Sequence, residues 1–419
     1  MYDIVIVGSG IAGLNIYNSL IESGKYCKML LIERNNYIGG RVYTVNKKIG
    51  KINHKLEAGA GRFNKNHKLL IDMIKKFKLH KKITKINSSD MKFVSYTNRY
   101  KDNKLITRLP YYYLDLIASR RFNNEMRKYT LKTWLYTKLD KKIVRYLIDS
   151  YPYKDMFKTN AYDAMVHYKK NMNINQDFFI LGDGLYQIVT NLVKNINKNN
   201  GTIKLNTDCK SVKQIDNYYT IKCSTNNSTY TIDTKKVILA VQKPTLQKLD
   251  ILKPVIDLIN SVSITPLLRV YFIFDVPKNG VWFKNIKKVL TDTPITYFIP
   301  ISYTNGSVMI SYSDENRARF LNNMEKNNSK DFIKFIIDEC KKLFNLKSIP
   351  KPIWYKMCYW DKGVAAWKPG VNSNKVSKQI LRPLKRKNLF ICGENYSRDY
   401  QSWIEGALET SNKVLDKLI

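Results

Sequence analysis

The sequence predicts an α/β fold in which a parallel strand–helix–strand core is interleaved with a second, α+β domain, and three observations predict it. A short apolar strand runs through a glycine turn into an amphipathic helix that ends at Gly24; a second apolar strand closes on the acidic Glu33; and open-sheet character returns near residue 201 and again from Asn388. At 419 residues the chain exceeds the size at which a single core usually stops growing, so two domains are expected.

Taken in order, YDIVIVGSGIAGLNIYNSLIESG supplies strand, turn and helix, KMLLIER the second strand, and NHKLLIDMIKKFKL a helical period from Asn66. Composition then shifts near residue 85, where RLPYYYLDL reads as an aromatic strand and NNEMRKYTLKTWLYTKLDKKIVRYLID as polar helix. In FFILGDGLYQIVTNL, Gly182 and Gly184 mark a turn before a helix whose apolar positions pack. Short strands with Asn-rich turns follow from residue 201, PLLRVYFIFDV reads as a half-buried strand ending near Val276, and residues 315 to 345 read as helical. The last segment, NLFICGENYSRDYQSWIEGALETSNKVLDKLI, gives a strand, a glycine turn and a closing helix. The core domain is therefore assigned to residues 1–84, 201–250 and 375–419, and the second domain to 85–200 and 251–374.

Composition excludes more than it selects. The 72 Lys and Arg against 34 Asp and Glu give a formal charge of +38, which would suit a polyanion or nucleic acid, but the lysines are spread through Asn- and Ile-rich stretches without aromatic interleaving. That bias is of the kind A- and T-rich genomes encode, those of parasites and large DNA viruses among them, which leaves a virion open as an alternative setting. Six dispersed cysteines form no CxxC pair and four histidines no metal-binding spacing, so neither a zinc site nor a disulfide scaffold is expected. Met1 leads straight into the first strand and no apolar run is long enough to span a bilayer. The expected setting is soluble, cytoplasmic and reducing.

The chemistry is carried by the first turn. Gly8, Gly10 and Gly13 allow a tight bend, close approach of a pyrophosphate and close helix packing, and they aim the helix N-terminus, with Ile11 and Ala12, at phosphate charge. Glu33 follows Gly13 by twenty residues, where a carboxylate can accept from ribose hydroxyls, and Arg34 is its neighbour. This makes a Rossmann-type dinucleotide site. Gly39, Gly40 and Arg41 just beyond it favour a flavin dinucleotide, the glycines admitting a ligand and the arginine neutralising pyrophosphate.

With these motifs the chain resembles the flavin amine oxidase family, and the resemblance covers most of its length. VIVGSGIAGLNIYNSL with LLIERNNYIGGRV is similar to the family's FAD signature, in a glutathione-reductase-like domain. LEAGAGRF resembles the loop, Gly59, Ala60, Gly61 and Arg62 here, whose backbone approaches the flavin. KVILAVQKP resembles a strand on the adenine side, with Val212 matching the usual adenine contact. FICGENYSRDYQSWIEGALETSN resembles the terminal signature, which implies Gly393 and Glu394 near ribityl or phosphate groups and Trp403, Ile404 and Glu405 beside the isoalloxazine.

The resemblance implies FAD, bound non-covalently because Ala366 stands near the position where some relatives carry a bonding cysteine. It implies hydride transfer from the α-carbon of a small-molecule amine to FAD, hydrolysis of the imine, and oxygen as acceptor with hydrogen peroxide formed. CYWDKGVAAWKPG resembles the family's aromatic loop, and its Trp367 together with Trp403 matches the two aromatic walls that flank the amine, a geometry in which cation–π attraction acts. Arg269 matches the family's lysine tied to oxygen reactivity, and a planar guanidinium in place of an ammonium puts fast reoxidation in doubt. Relatives also dimerise, so a homodimer is a further expectation. Two other readings stand beside this one: an FAD enzyme of a porphyrin- or carotenoid-like apolar substrate, and an FAD-fold scaffold that binds a polyanion through its basic surface.

Overall fold

The computed structural model describes residues 1–86, 91–96, 104–173, 175–385 and 387–418. Its first sheet is centred on the strand Tyr2–Val7, which pairs in parallel with Met29–Ile32 on one side and Thr229–Leu239 on the other. Ile4 to Val7 and the whole of Met29–Ile32 are buried, as the near-continuous apolar runs of a strand covered on both faces require. Thr202–Lys204 and Leu389–Ile391 join in parallel, and the antiparallel strands Asp208–Ile215 and Tyr218–Ser224 complete seven. This sheet draws its strands from three separate stretches of chain.

Helices Ile11–Ser23, Tyr186–Lys198 and Ile404–Leu415 share one apolar core on this sheet through Leu14, Leu20, Ile188, Leu192, Leu408 and Val414. A second, six-stranded sheet runs in the order Trp354–Trp367, Val262–Ile273, Ser307–Asp314, Tyr297–Ser302, Lys288–Thr291, Met91–Val94. Helices Glu315–Asn327 and Ser329–Phe344 cover one of its faces. Between residues 104 and 172 lies a helical segment with its own core around Leu131, Leu147, Tyr151 and Tyr168.

Three local expectations are corrected. RLPYYYLDL lies inside the helix Lys104–Ser119, where Leu114 and Ala118 turn inward at a spacing of four; packing of that face outweighs the β preference of a tyrosine run. The strand containing Arg269 spans Val262–Ile273, and Val270 to Ile273 are buried throughout because both of its faces are covered. CYWDKGVAAWKPG, expected as a loop, belongs mostly to the strand Trp354–Trp367, which bulges where Thr265 and Leu267 face Val364 and Trp360. No described helix is long and apolar enough to cross a membrane.

Candidate active site

One cavity of about 800 Å³ runs from the first glycine turn to the second sheet. At its first end Gly8 has φ +104°, and a Cβ there would stand 2.5 Å from the Ala240 carbonyl oxygen. A Cβ on Gly13 would come within 2.0 Å of the Gly8 carbonyl oxygen, so the helix packs directly onto the turn. Gly13 accordingly serves packing and stays off the cavity wall, whereas Gly8, Gly10, Ile11 and Ala12 line it. The helix N-terminus carries no side-chain cap, which leaves its N–H groups turned toward the cavity as donors for an anion.

Glu33 and Arg34 line the neighbouring wall. Glu33, 7% exposed, accepts from the Ser9 N–H at 2.9 Å, the Ser9 hydroxyl at 3.0 Å and the Asn35 N–H at 2.9 Å, so its carboxylate is fixed in place. Val212 is a correction. It packs in the core beneath the sheet, and the cavity wall is formed instead by Thr207, Asp208 and Cys209. Position along the strand explains it: Cys209 belongs to the same core as Val212, but it stands at the start of Asp208–Ile215, where the strand end meets the groove.

Gly40, Arg41, Gly393, Glu394 and Ile404 also line the cavity. Arg41 does not stand free for a phosphate: its Nη1 pairs with Glu394 at 2.6 Å and donates to the Gly363 carbonyl at 2.7 Å. Glu394 is buried and also accepts from the Asn395 amide at 2.6 Å and the Ser402 N–H at 2.7 Å. A buried carboxylate needs a cation, and this pair ties the N-terminal signature to the C-terminal one. An uncapped helix end, a turn too tight for a Cβ and a fixed carboxylate on the adjoining wall together fit an FAD.

The loop Gly59–Arg62 lines the middle of the cavity and is held by the second sheet. The Glu57 carbonyl accepts from Arg269 Nη1 at 2.9 Å and from the Tyr271 hydroxyl at 2.8 Å, and the Ala58 carbonyl accepts from the Trp360 indole at 2.6 Å. A Cβ on Gly61 would meet Arg269 Nη1 at 2.7 Å, so this glycine is what lets the guanidinium lie against the loop. The Glu57 side chain points the other way, accepting from the Leu185 N–H at 2.6 Å and the Thr44 hydroxyl at 2.7 Å. Burial pushes its carboxyl up to about 7, against those hydrogen bonds.

Beyond the loop the cavity is a chamber lined by aromatic and charged groups. Arg269 faces into it, with its guanidinium 4.8 Å from the Tyr312 ring. Arg62 lies 4.0 Å over the Phe178 ring and donates to the Tyr153 hydroxyl at 2.7 Å. Among the described residues neither guanidinium forms an ion pair with a carboxylate. Trp403 stacks on Phe178 at 6.2 Å and 11° and lies 4.7 Å from the His67 ring. Trp367 also borders the cavity, yet it is 1% exposed and its described ring partner is Tyr396 at 6.4 Å; the structure makes it a packing residue of the core, and no ring contact joins it to Trp403.

His67 and His167 both line the chamber, and burial pushes each imidazole down to about 4. His67 is satisfied by Asn171 Oδ1 at 3.2 Å and the Asn64 N–H at 3.4 Å. Asp155 and Asp314 complete the wall. Burial raises both carboxyls, Asp314 to about 6, and each is further raised by an acidic neighbour, Glu315 for Asp314 and Asp314 for Asp155. The sequence reading missed Tyr153, Tyr312, Asp155 and Asp314 on the wall, and Phe178, which packs against Trp403 and Arg62. A signal existed only for the pair Tyr312 and Asp314, whose i, i+2 spacing in a strand puts both on one face.

A family model described as flavin containing amine oxidoreductase matches residues 11–141 and 140–414. Among solved structures, three engineered forms of putrescine oxidase made in a structure-based redesign of cofactor binding share the fold. A double mutant has a TM-score of 0.76 at 14% identity, over 100% of this chain and 99% of that one. A single mutant gives 0.76 at 14% identity over 100% and 98%, and a triple mutant 0.74 at 14% over 100% and 98%. No curated protein sequence matches the chain.

Proposed function

The chain belongs to the flavin containing amine oxidoreductases, and from that membership we propose that it is an FAD-dependent oxidoreductase of a small amine that also carries a carboxylate. The observation that carries this reading is the chamber itself. It is continuous with the dinucleotide groove and presents two guanidiniums, Arg62 and Arg269, that have no described carboxylate partner. Beside these two groups a bare ammonium would be repelled, whereas a carboxylate gains charge-assisted hydrogen bonds from either planar fork.

FAD would be held non-covalently by the glycine turn, Glu33, the loop Gly59–Arg62 and the Glu394 segment, and would supply two-electron oxidation of the amine C–H bond with oxygen as the final acceptor. Trp403, stacked on Phe178, would wall the amine, and Trp367 borders the cavity apart from that pair. No described side chain is poised as an obligatory base: His67 is already bonded on both ring nitrogens, and both cavity imidazoles are neutral at pH 7.

The test is anaerobic reduction of the flavin-loaded protein, followed by its visible spectrum, with separate pools of monoamines, diamines and amino acids. Bleaching by amino acids alone is expected, and admitting oxygen then measures reoxidation beside Arg269. Bleaching by simple monoamines alone removes the carboxylate from the reading; no bleaching by any pool removes amine chemistry.

A further inference from the structure

Two of the six cysteines face each other across neighbouring strands. Asp208–Ile215 pairs antiparallel with Tyr218–Ser224, and in that register Cys209 stands directly opposite Cys223. Directly opposed residues put their side chains on one face of a sheet, and both cysteines belong to the same apolar core, with Val212 and Tyr219. Opposed Cα atoms of an antiparallel ladder lie about 4.5–5.5 Å apart whichever kind of pair they form, and a disulfide spans about 4.4–6.8 Å. The ladder slips between Cys209 and Ser211, so the strand is already irregular at the residue a cross-link would move.

Both thiols are free. Each makes a long contact to a carbonyl of its own strand, Cys209 Sγ to Ser211 at 4.0 Å and Cys223 Sγ to Ile221 at 3.9 Å, and such weak hydrogen bonds cost little to give up. The two differ in what they reach. Cys223 is fully buried, whereas Cys209 is 7% exposed and borders the cavity beside Thr207 and Asp208, at the end fitted for a dinucleotide. Burial pushes Cys209 up to about 12 and Cys223 up to about 11, so neither is a ready thiolate and oxidation has to start where a small oxidant arrives. Of the pair, Cys209 alone borders the cavity.

We propose that Cys209 and Cys223 form a dithiol–disulfide site whose oxidation is gated by occupancy of the dinucleotide groove. A peroxide entering the empty groove transfers one oxygen to the Cys209 sulfur, giving a sulfenic acid and one water. The Cys223 sulfur then attacks Cys209, the S–S bond forms, and the hydroxyl leaves with the Cys223 proton as a second water. Two thiols lose two electrons and two protons, and the peroxide takes up both. FAD in the groove covers Cys209 and keeps the dithiol reduced. The site depends on the dinucleotide assignment of the groove and not on the amine reading, since any peroxide serves.

The full-length chain, flavin-free and flavin-loaded, is treated with hydrogen peroxide, denatured in N-ethylmaleimide to block the remaining thiols, and digested without reductant for mass spectrometry. A peptide cross-linked through Cys209 and Cys223 is expected, formed at least about ten-fold faster in the flavin-free protein and faster by about ten-fold for each unit of pH between about 7 and 9, as the thiolate fraction grows. Cys223→Ala is expected to leave Cys209 oxidised without a cross-link, and Cys209→Ser to leave Cys223 reduced, which separates the entry thiol from the resolving one. No cross-link in the flavin-free protein, with exposed Cys27 oxidised in the same sample, overturns the site. A cross-link that forms equally fast with flavin bound overturns the gating, and a chain that takes up no FAD does the same.

Discussion

Gly61 shows how a single missing atom sets the chemistry of the chamber. Its hydrogen leaves the space in which the Arg269 guanidinium reaches the Glu57 carbonyl, and a Cβ would intrude to 2.7 Å from Nη1. Because the atom displaced is the far end of a long side chain, Gly61→Ala is expected to fold, with a loss of about 1 kcal/mol or less, yet to move the guanidinium and weaken binding of L-norvaline by about ten-fold. Anaerobic calorimetry on the variant with its flavin already reduced, which leaves the amino acid unoxidised, checks this, and unchanged affinity would mean that Arg62 alone holds the carboxylate. Arg269 could be found in the sequence through its strand and the family match. Gly61 was legible only as part of a glycine-rich loop, since its partner lies more than two hundred residues away and nothing local records the contact.

Elements are joined here by buried charges more than by their own propensities. Arg127, beside the helical segment, pairs with Asp163 at 2.7 Å, and both are almost fully enclosed; Ser373 Oγ donates to the same aspartate at 2.6 Å from the chain after the second sheet. Arg127→Leu removes the cation and strands Asp163, so a loss of about 3–5 kcal/mol is expected, read as a lower melting temperature. Glu57 makes a comparable junction between the hairpin strand Ile52–Glu57 and the helix that begins at Tyr186. Its carboxyl titrates at about 7 in the fold against 4.5 as the ordinary value. Between those values the folded protein holds the extra proton, so this group contributes stability at low pH that is lost as pH rises through about 7. Glu57→Gln should therefore gain on wild type with rising pH, by about 2 °C or more in melting temperature between pH 5 and pH 8, and a difference that stays flat with pH would show that Glu57 ionises normally.

For the whole molecule the dominant quantity is the formal charge of +38. Exposed ion pairs such as Lys76 with Glu22 at 2.7 Å and Lys334 with Asp338 at 2.8 Å offset little of it, being solvated on both sides. Self-repulsion of like charge destabilises the compact state, and the screening length falls from about 30 Å at 0.01 M salt to about 8 Å at 0.15 M. Raising sodium chloride over that range is expected to raise the melting temperature by several degrees, as scanning calorimetry would record; a fall would mean that the lysines are locally compensated.

The sequence by itself determined the central strands of the first sheet and the glycine-turn end of the cavity, because those rest on short-range rules. A buried parallel strand must be apolar along its length, a turn onto a helix N-terminus must be glycine, and Tyr2–Val7, Gly8 to Gly13 and Glu33 meet these conditions within one contiguous stretch. Only the tertiary structure decided the rest. A tyrosine-rich run became the helix Lys104–Ser119, the groove wall fell at the strand start around Cys209 and not at Val212, Arg41 was given to Glu394, and Trp367 was turned into the core beside Tyr396. The chamber shares the same cause. Arg62, Tyr153, Arg269, Tyr312 and Asp314 come from distant stretches, and their meeting depends on sheet register and loop placement, which no local pattern of residue types encodes.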